Sequence, residues 1–180
     1  MRVVLLVGAL SLCGCAASGP SFVEESERMI PVPEGLARVV FFRTKDSALY
    51  IARNARITLD GEKIGETAYG GFHYHDVSQG RHRLQADIWD VPGGCELILD
   101  AASGQTYYFQ VDPRDESFLA FAAGNLVASM VTDGELFSLG LELGASAAES
   151  YGRVCGGAFK LYPVDPATAN WKLLELNLSG

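Results

Sequence analysis

Positive charge is scarce in this 180-residue chain: 14 Lys+Arg stand against 22 Asp+Glu, a formal net charge of −8. No basic run interrupts that deficit, which removes the usual electrostatic ground for binding nucleic acid. Long apolar runs are also missing. Val3–Leu12 covers about ten residues and the apolar stretch 117–132 about sixteen, whereas a spanning helix needs roughly 20. Cysteine numbers 4 and histidine 3. No two cysteines are spaced as CxxC, so a redox or metal pair of that kind has no basis in the spacing. No serine or cysteine nucleophile sits in a recognisable motif, and Gly140 and Gly144 fall within strand-like alternation rather than ahead of a helix, which leaves no phosphate loop. No cofactor is expected.

What is present begins at the N-terminus. MRVVLLVGALSLCGC carries Arg2, then the short apolar run, then small residues. That is the layout of a signal peptide. The junction Leu12-Cys13-Gly14-Cys15 resembles the lipobox of bacterial lipoproteins, an apolar residue before small residues and a cysteine. The resemblance implies a signal peptide over 1–14, with Cys15 as the first residue of the processed chain and the bearer of the lipid (palmitate among its acyl chains). Cys13 is a poorer match, because Leu12 stands where a small residue is wanted; an ordinary secretory signal cleaved nearby is the other alternative. Buried acyl chains would supply the anchor at about 0.8 kcal/mol per methylene. Ala16, not Asp, follows Cys15, which by the same resemblance favours the outer membrane, facing the periplasm. Loss of residues 1–14 removes Arg2 and leaves 13 Lys+Arg against 22 Asp+Glu, a net charge of −9. The expected partners are therefore the membrane, through the lipid, and another envelope protein or a glycan.

Residues 15–35 are small, polar and proline-bearing and read as a lipidated cysteine with a flexible tether. From Leu36 the chain turns into short apolar runs punctuated by turns, and 36–180 reads as one domain with a core of its own. LARVVFFR (36–43) is a strand rich in β-branched and aromatic residues. ARITLDGEKIGET (55–67) is a hairpin turning at Asp60-Gly61. GCELILD and QTYYFQVD follow, the latter with Tyr107, Phe109 and Val111 on one face. ELFSLGLELG (135–144) alternates as a strand, and AFKLYPV (158–164) is another. Asp165-Pro166 supplies an N-cap and N1 proline for a helix to about Leu176, which Trp171, Leu174 and Leu178 would dock. SFLAFAAGNLVASMVT (117–132) has too few polar residues for a free surface helix. It reads as a helical or irregular insertion packed on the sheet, or as an interface through Phe118, Phe121, Leu126 and Met130. The fold class is mainly β: a β-sandwich-like antiparallel domain with a peripheral C-terminal helix and this apolar insertion.

Export bears on Cys95 and Cys155, the two cysteines left in the body, each beside a glycine pair. In an oxidising compartment an even pair is most simply a disulfide, which over a 60-residue separation would contribute about 4 kcal/mol. Two buried free thiols are the competing reading.

The order of "ARVVFFR", "ITLDGEKIGE", "YGGFHYHDVSQGRHRLQA" and "SGQTYYFQVD" resembles a family of bacterial lipoproteins known as domain of unknown function 2846. The run "LDGEKIGE…VSQGRHRLQA" also resembles the PEGA-type β-module of surface proteins. The resemblance spans 36–111, with a tail at "FKLYPVDPATA", and implies a small envelope β-sandwich without an assigned activity. The chain departs from the pattern at Gln79-Gly80, where the family has Pro-Gly, and 112–157 is not covered.

All three histidines fall in "GGFHYHDVSQGRHRLQA". As a hairpin with the three-residue loop Ser78-Gln79-Gly80, this stretch places His75 near Arg83, His73 near Gln85 and His82 diagonal to Asp76. Phe72, Tyr74, His82, Leu84, Ala86 and Ile88 then share the core face. His73 and His75 are left as an exposed H-x-H pair, a weak metal signal with no third anionic ligand. His82 with Asp76 reads as a structural pair. Asp112, Asp115 and Glu116 lack the glycine and closing glutamate of a calcium loop and read as a solvated turn. Tyr69, Tyr74, Tyr107 and Tyr108 could stack on sugars but suit core strand positions. The function expected is that of a lipid-anchored, non-enzymatic binding or scaffolding domain. The alternatives are a periplasmic metal-assisted hydrolase using His73 and His75, or an assembly subunit docking through 117–132.

Overall fold

The computed structural model describes residues 16–115 and 155–179. Its elements are α1 (Phe22–Ser26), β1 (Leu36–Arg43), β2 (Ala55–Leu59), β3 (Glu62–Thr67), β4 (Gly71–Ser78), β5 (Gly80–Ile88), β6 (Val91–Ala101), β7 (Thr106–Pro113), β8 (Phe159–Val164), α2 (Pro166–Leu173) and β9 (Asn177–Leu178). They form two sheets, one ordered β8-β7-β1-β4-β9 and one β3-β2-β5-β6. Pairing is antiparallel except for β1 with β7 and β4 with β9. The mainly β, sandwich-like fold with a peripheral C-terminal helix is the one the sequence predicts. The insertion 117–132, with Phe118, Phe121, Leu126 and Met130, and the strand at 135–144 lie outside the described residues, as do the signal segment and Cys15.

β1 explains the layering. Its alternation sends Ala37, Val39 and Phe41 into the core between the sheets and Val40 and Phe42 into a second core on the outer side. A strand covered on both faces reads as an almost unbroken apolar run. The outer cover comes from α2 and α1. Asp165 caps α2 by accepting from the Thr168 N–H at 3.0 Å, with Pro166 in the first turn. The helix docks through Ala169 and Leu173, joined by Leu176 beyond its end. Of the expected docking set only Leu178 packs into this core, from β9; α2 stops at Leu173, and Trp171 and Leu174 point outward, each 60% exposed. The helical spacing was present in the sequence, but a face offset from the Trp171–Leu174 stripe carries the small and buried residues.

Residues 16–35 also differ from a loose tether. Ala16 is bridged to Tyr69 and Ser21 to Asn177. The Ala17 and Gly19 N–H groups donate to the carbonyls of Tyr69 and Leu178, both at 3.1 Å. Ser21 and Glu24 form a capping box on α1, and Phe22 packs edge-on against Phe72 at 5.3 Å. These polar, proline-bearing residues have no period because they lie along the sheet edge as an irregular strap.

The stretch 70–86 is the principal correction. It is not a hairpin. β4 pairs with β1 and β9, whereas β5 pairs with β2 and β6 in the opposite sheet. The chain crosses the sandwich at Gln79-Gly80, and Gly80 has φ 137°, outside the range L residues readily adopt. Leu84, Ala86 and Ile88 face the inter-sheet core as expected. Phe72 and Tyr74 instead face the outer core, so the other face of β4, with His73 and Val77, turns inward.

Cys95 and Cys155 are bonded to each other across 60 residues. The flanking glycines allow this approach: a Cβ on Gly157 would stand 2.5 Å from the Gly93 carbonyl oxygen. The Gly156 N–H donates to the Gly94 carbonyl at 2.8 Å, extending β6 by one bridge.

Candidate functional site

The histidines occupy three different environments. His73 is 8% exposed, stacks on Phe41 with ring centroids 5.2 Å apart, and has Nδ1 3.2 Å from the Thr67 hydroxyl. Its Nε2 is buried without a hydrogen-bond partner, pressed over Gly65. Burial, with a smaller contribution from the neighbouring His75, pushes its pKa down to about 4, so the ring is neutral near pH 7. His75 is half-buried two residues along. The expected exposed H-x-H pair is thus corrected: the two share a face, but it is the inward one. The expected neighbours are absent too, since Arg83 and Gln85 belong to the other sheet. Among the described residues no three His, Cys, Asp or Glu side chains converge to hold a metal ion.

His82 has a carboxylate partner, but it is Asp60 rather than Asp76. Asp60 sits at the turn of the β2–β3 hairpin with φ 51° and accepts from the Arg83 N–H at 2.8 Å. Its second oxygen lies 2.7 Å from His82 Nδ1. On the opposite side, Nε2 is 3.4 Å from Ser78 Oγ and 2.8 Å from the Ser78 carbonyl oxygen. Serine, histidine and aspartate are therefore in file, as in a hydrolytic triad. The hydrogen bonds argue a different role. A general base needs a free lone pair at Nε2 to take the serine proton. Here Nδ1 faces the Asp60 carboxylate and Nε2 faces the Ser78 carbonyl, the nearer of its two Ser78 neighbours, an arrangement that suits the doubly protonated imidazolium. Asp60, then the Ser78 carbonyl, raise the His82 pKa against the effect of burial. The Arg83 N–H, followed by His82, lowers that of Asp60. The unit is a clamp that ties the β4–β5 crossing to the neighbouring hairpin turn. Asp76 is engaged elsewhere, bidentate to the buried Arg38 at 2.7 and 2.8 Å.

Arg43 escaped the sequence reading. It is fully buried at the end of β1, donating to the carbonyls of Arg53 and Leu49, each at 2.7 Å, and lying over the Phe159 ring. Burial lowers its pKa to about 10, which leaves it charged at neutral pH. Its role is to pin the loop 44–54 to the end of the sandwich. A final arginine in an apolar strand gives no sign of whether it points out to water or in toward carbonyls.

The other candidates are tied into the framework. Asp112 is a β7 residue that accepts from Tyr162 and Gln110. Arg114 donates to the Cys155 carbonyl at 2.9 Å, so of the expected solvated turn Asp112 is instead tied into the sheet, Asp115 is exposed, and Glu116 lies outside the described residues. Tyr69 donates to the Lys45 carbonyl and Tyr74 to Glu25, Tyr107 bonds at the β6–β7 turn, and Tyr108 packs in the outer core.

A cleft of about 610 Å³ opens at the end of the sandwich where β1 stops and β4 begins. Ala16, Arg53, Arg56, Lys63, Glu66 and Trp89 are among its lining residues. Each cation has a carboxylate: Arg53 with Asp90 at 2.9 Å, Arg56 with Asp87 at 2.6 Å and Lys63 with Glu66 at 2.6 Å.

No curated protein and no solved structure matches this chain. A family model described as a protein of unknown function, DUF2846, matches residues 33–124. That span contains β1–β7, the crossing at Gln79-Gly80 and the His82 clamp, and it is longer at both ends than the motifs that first suggested it. The chain belongs to the DUF2846 family of proteins of unknown function.

Proposed function

We propose that this protein is a lipid-anchored component of the bacterial cell envelope, held through Cys15 at the outer membrane, whose β-sandwich serves as a non-enzymatic binding or scaffolding module. The observation that carries this reading is the junction Leu12-Cys13-Gly14-Cys15 behind a short apolar run. The bonding of His82 supports the non-enzymatic part, because its nitrogens are committed to Asp60 and Ser78. The metal-assisted hydrolase draws no support from a His73 packed on Phe41. Replacement of Cys15 by Ser tests the anchor: the wild-type chain is expected in the membrane fraction and the Cys15→Ser chain in the soluble periplasmic extract. Equal partition of the two would contradict the reading. Stoichiometric zinc in the purified protein, lost on His73→Ala, would favour the hydrolase instead.

A further inference from the structure

Trp89 is 78% exposed at the β5–β6 turn, the most exposed of the large apolar side chains described, and Ile51 is 46% exposed in the loop 44–54. Both belong to the end of the sandwich where the strap begins. Trp89, Arg53 and Ala16 line the same cleft, Ile51 precedes its lining residue Ala52, and the Arg53 guanidinium lies 5.8 Å from the Trp89 ring centre. Ala17 is hydrogen-bonded to the body of the domain, so no slack separates the cleft from the chain before it. One peptide unit, about 3.8 Å between Cα atoms, joins Ala16 to Cys15. A lipid on Cys15 would therefore hold this particular end against the bilayer.

We infer that the cleft end carrying Trp89, Ile51 and the Arg53, Arg56 and Lys63 ion pairs is a membrane-facing surface, seated on the headgroups of the bilayer that holds the Cys15 lipid. The inference rests on the anchored reading above. Tryptophan suits such a place because its ring is apolar and its N–H polar, the combination favoured at headgroup depth. The charges select the lipid class. Each of the three cations is paired with its own carboxylate, which makes the set a neutral mosaic. On a chain that begins at Cys15, with 13 Lys+Arg against 22 Asp+Glu and a net charge of −9, this mosaic matches zwitterionic headgroups rather than an anionic surface.

Trp89 and Trp171 are the two tryptophans of the chain, so Trp171→Phe isolates Trp89 as the reporter. The membrane-extracted protein carrying Trp171→Phe is reconstituted into phosphatidylcholine vesicles, with brominated-chain lipid as quencher from within and acrylamide from the water. Mass spectrometry of Cys15 accompanies the same sample. With lipid on Cys15, Trp89 emission is expected to shift to the blue, to be quenched by the brominated chains, and to lose acrylamide quenching severalfold relative to the unlipidated Cys15→Ser chain. Adding Ile51→Asp should reverse most of that change. A lipidated Cys15 with Trp89 as open to acrylamide as in the Cys15→Ser chain would overturn the surface and leave the anchor standing. An unmodified Cys15 would overturn both.

Discussion

His73 and His82 bind protons in opposite senses, which gives the folding stability a shape in pH. Asp60 and the Ser78 carbonyl hold the His82 pKa above its ordinary 6.5. The folded form therefore binds that proton more tightly than the unfolded chain, and the stabilisation is complete below about 6.5 and is lost as pH rises through the raised folded value. Burial holds His73 down at about 4. On unfolding it gains a proton that the core refuses, so stability falls as pH drops from about 6.5 toward 4, by about 3 kcal/mol at the limit. Urea denaturation midpoints measured with the disulfide intact should accordingly peak near neutrality. His73→Gln should flatten the limb between about pH 6.5 and 4.5, above the carboxylate range, and Asp60→Asn the alkaline limb. A His73→Gln limb as steep as that of the parent would contradict the buried, neutral ring. None of this was legible from histidine spacing, because the alternation along β4 fixes which residues share a face but not whether that face meets water.

At the scale of elements, the clearest sequence signals were local ones. β1 was readable because eight β-branched, aromatic and flanking residues end at polar ones, and the β2–β3 hairpin because Asp60-Gly61 supplies the turn conformation. The β4–β5 crossing was not. A hairpin and a sheet-to-sheet corner show the same apolar alternation and the same glycine; they differ only in distant pairing partners. For β4 the deciding partner is β1, whose two apolar faces demand cover on both sides. The helix α2 provides that cover with Leu173, fully buried, while Trp171 faces water. Leu173→Ala should destabilise the protein by about 3 kcal/mol. Trp171→Ala should change stability by no more than about 0.5 kcal/mol. Chemical denaturation of the two variants checks the order, and a larger loss for Trp171→Ala would mean that the docking face is wrongly assigned.

At the scale of the whole molecule, one end of the sandwich gathers most of what bears on function. The strap enters there beside Tyr69, Arg43 pins the loop 44–54 there, and the β5–β6 turn presents Trp89. The chain also leaves and re-enters the described structure there, after β7 and before β8, with the Cys95–Cys155 bridge fastening the return to β6. The opposite end carries the His82 clamp and the crossing. This polarity gives the proposed lipid at Cys15 its weight, since an anchor one residue before Ala16 would orient every other surface. The most direct measurement is the intact mass of the protein extracted from the membrane fraction of its own cells, with fragmentation of its first residues. A chain beginning at Cys15 with a thioether-linked diacylglycerol on the sulfur is expected, and a soluble, unlipidated product from Cys15→Ser. A chain that begins elsewhere, or an unmodified Cys15 in membrane-derived protein, would contradict that expectation.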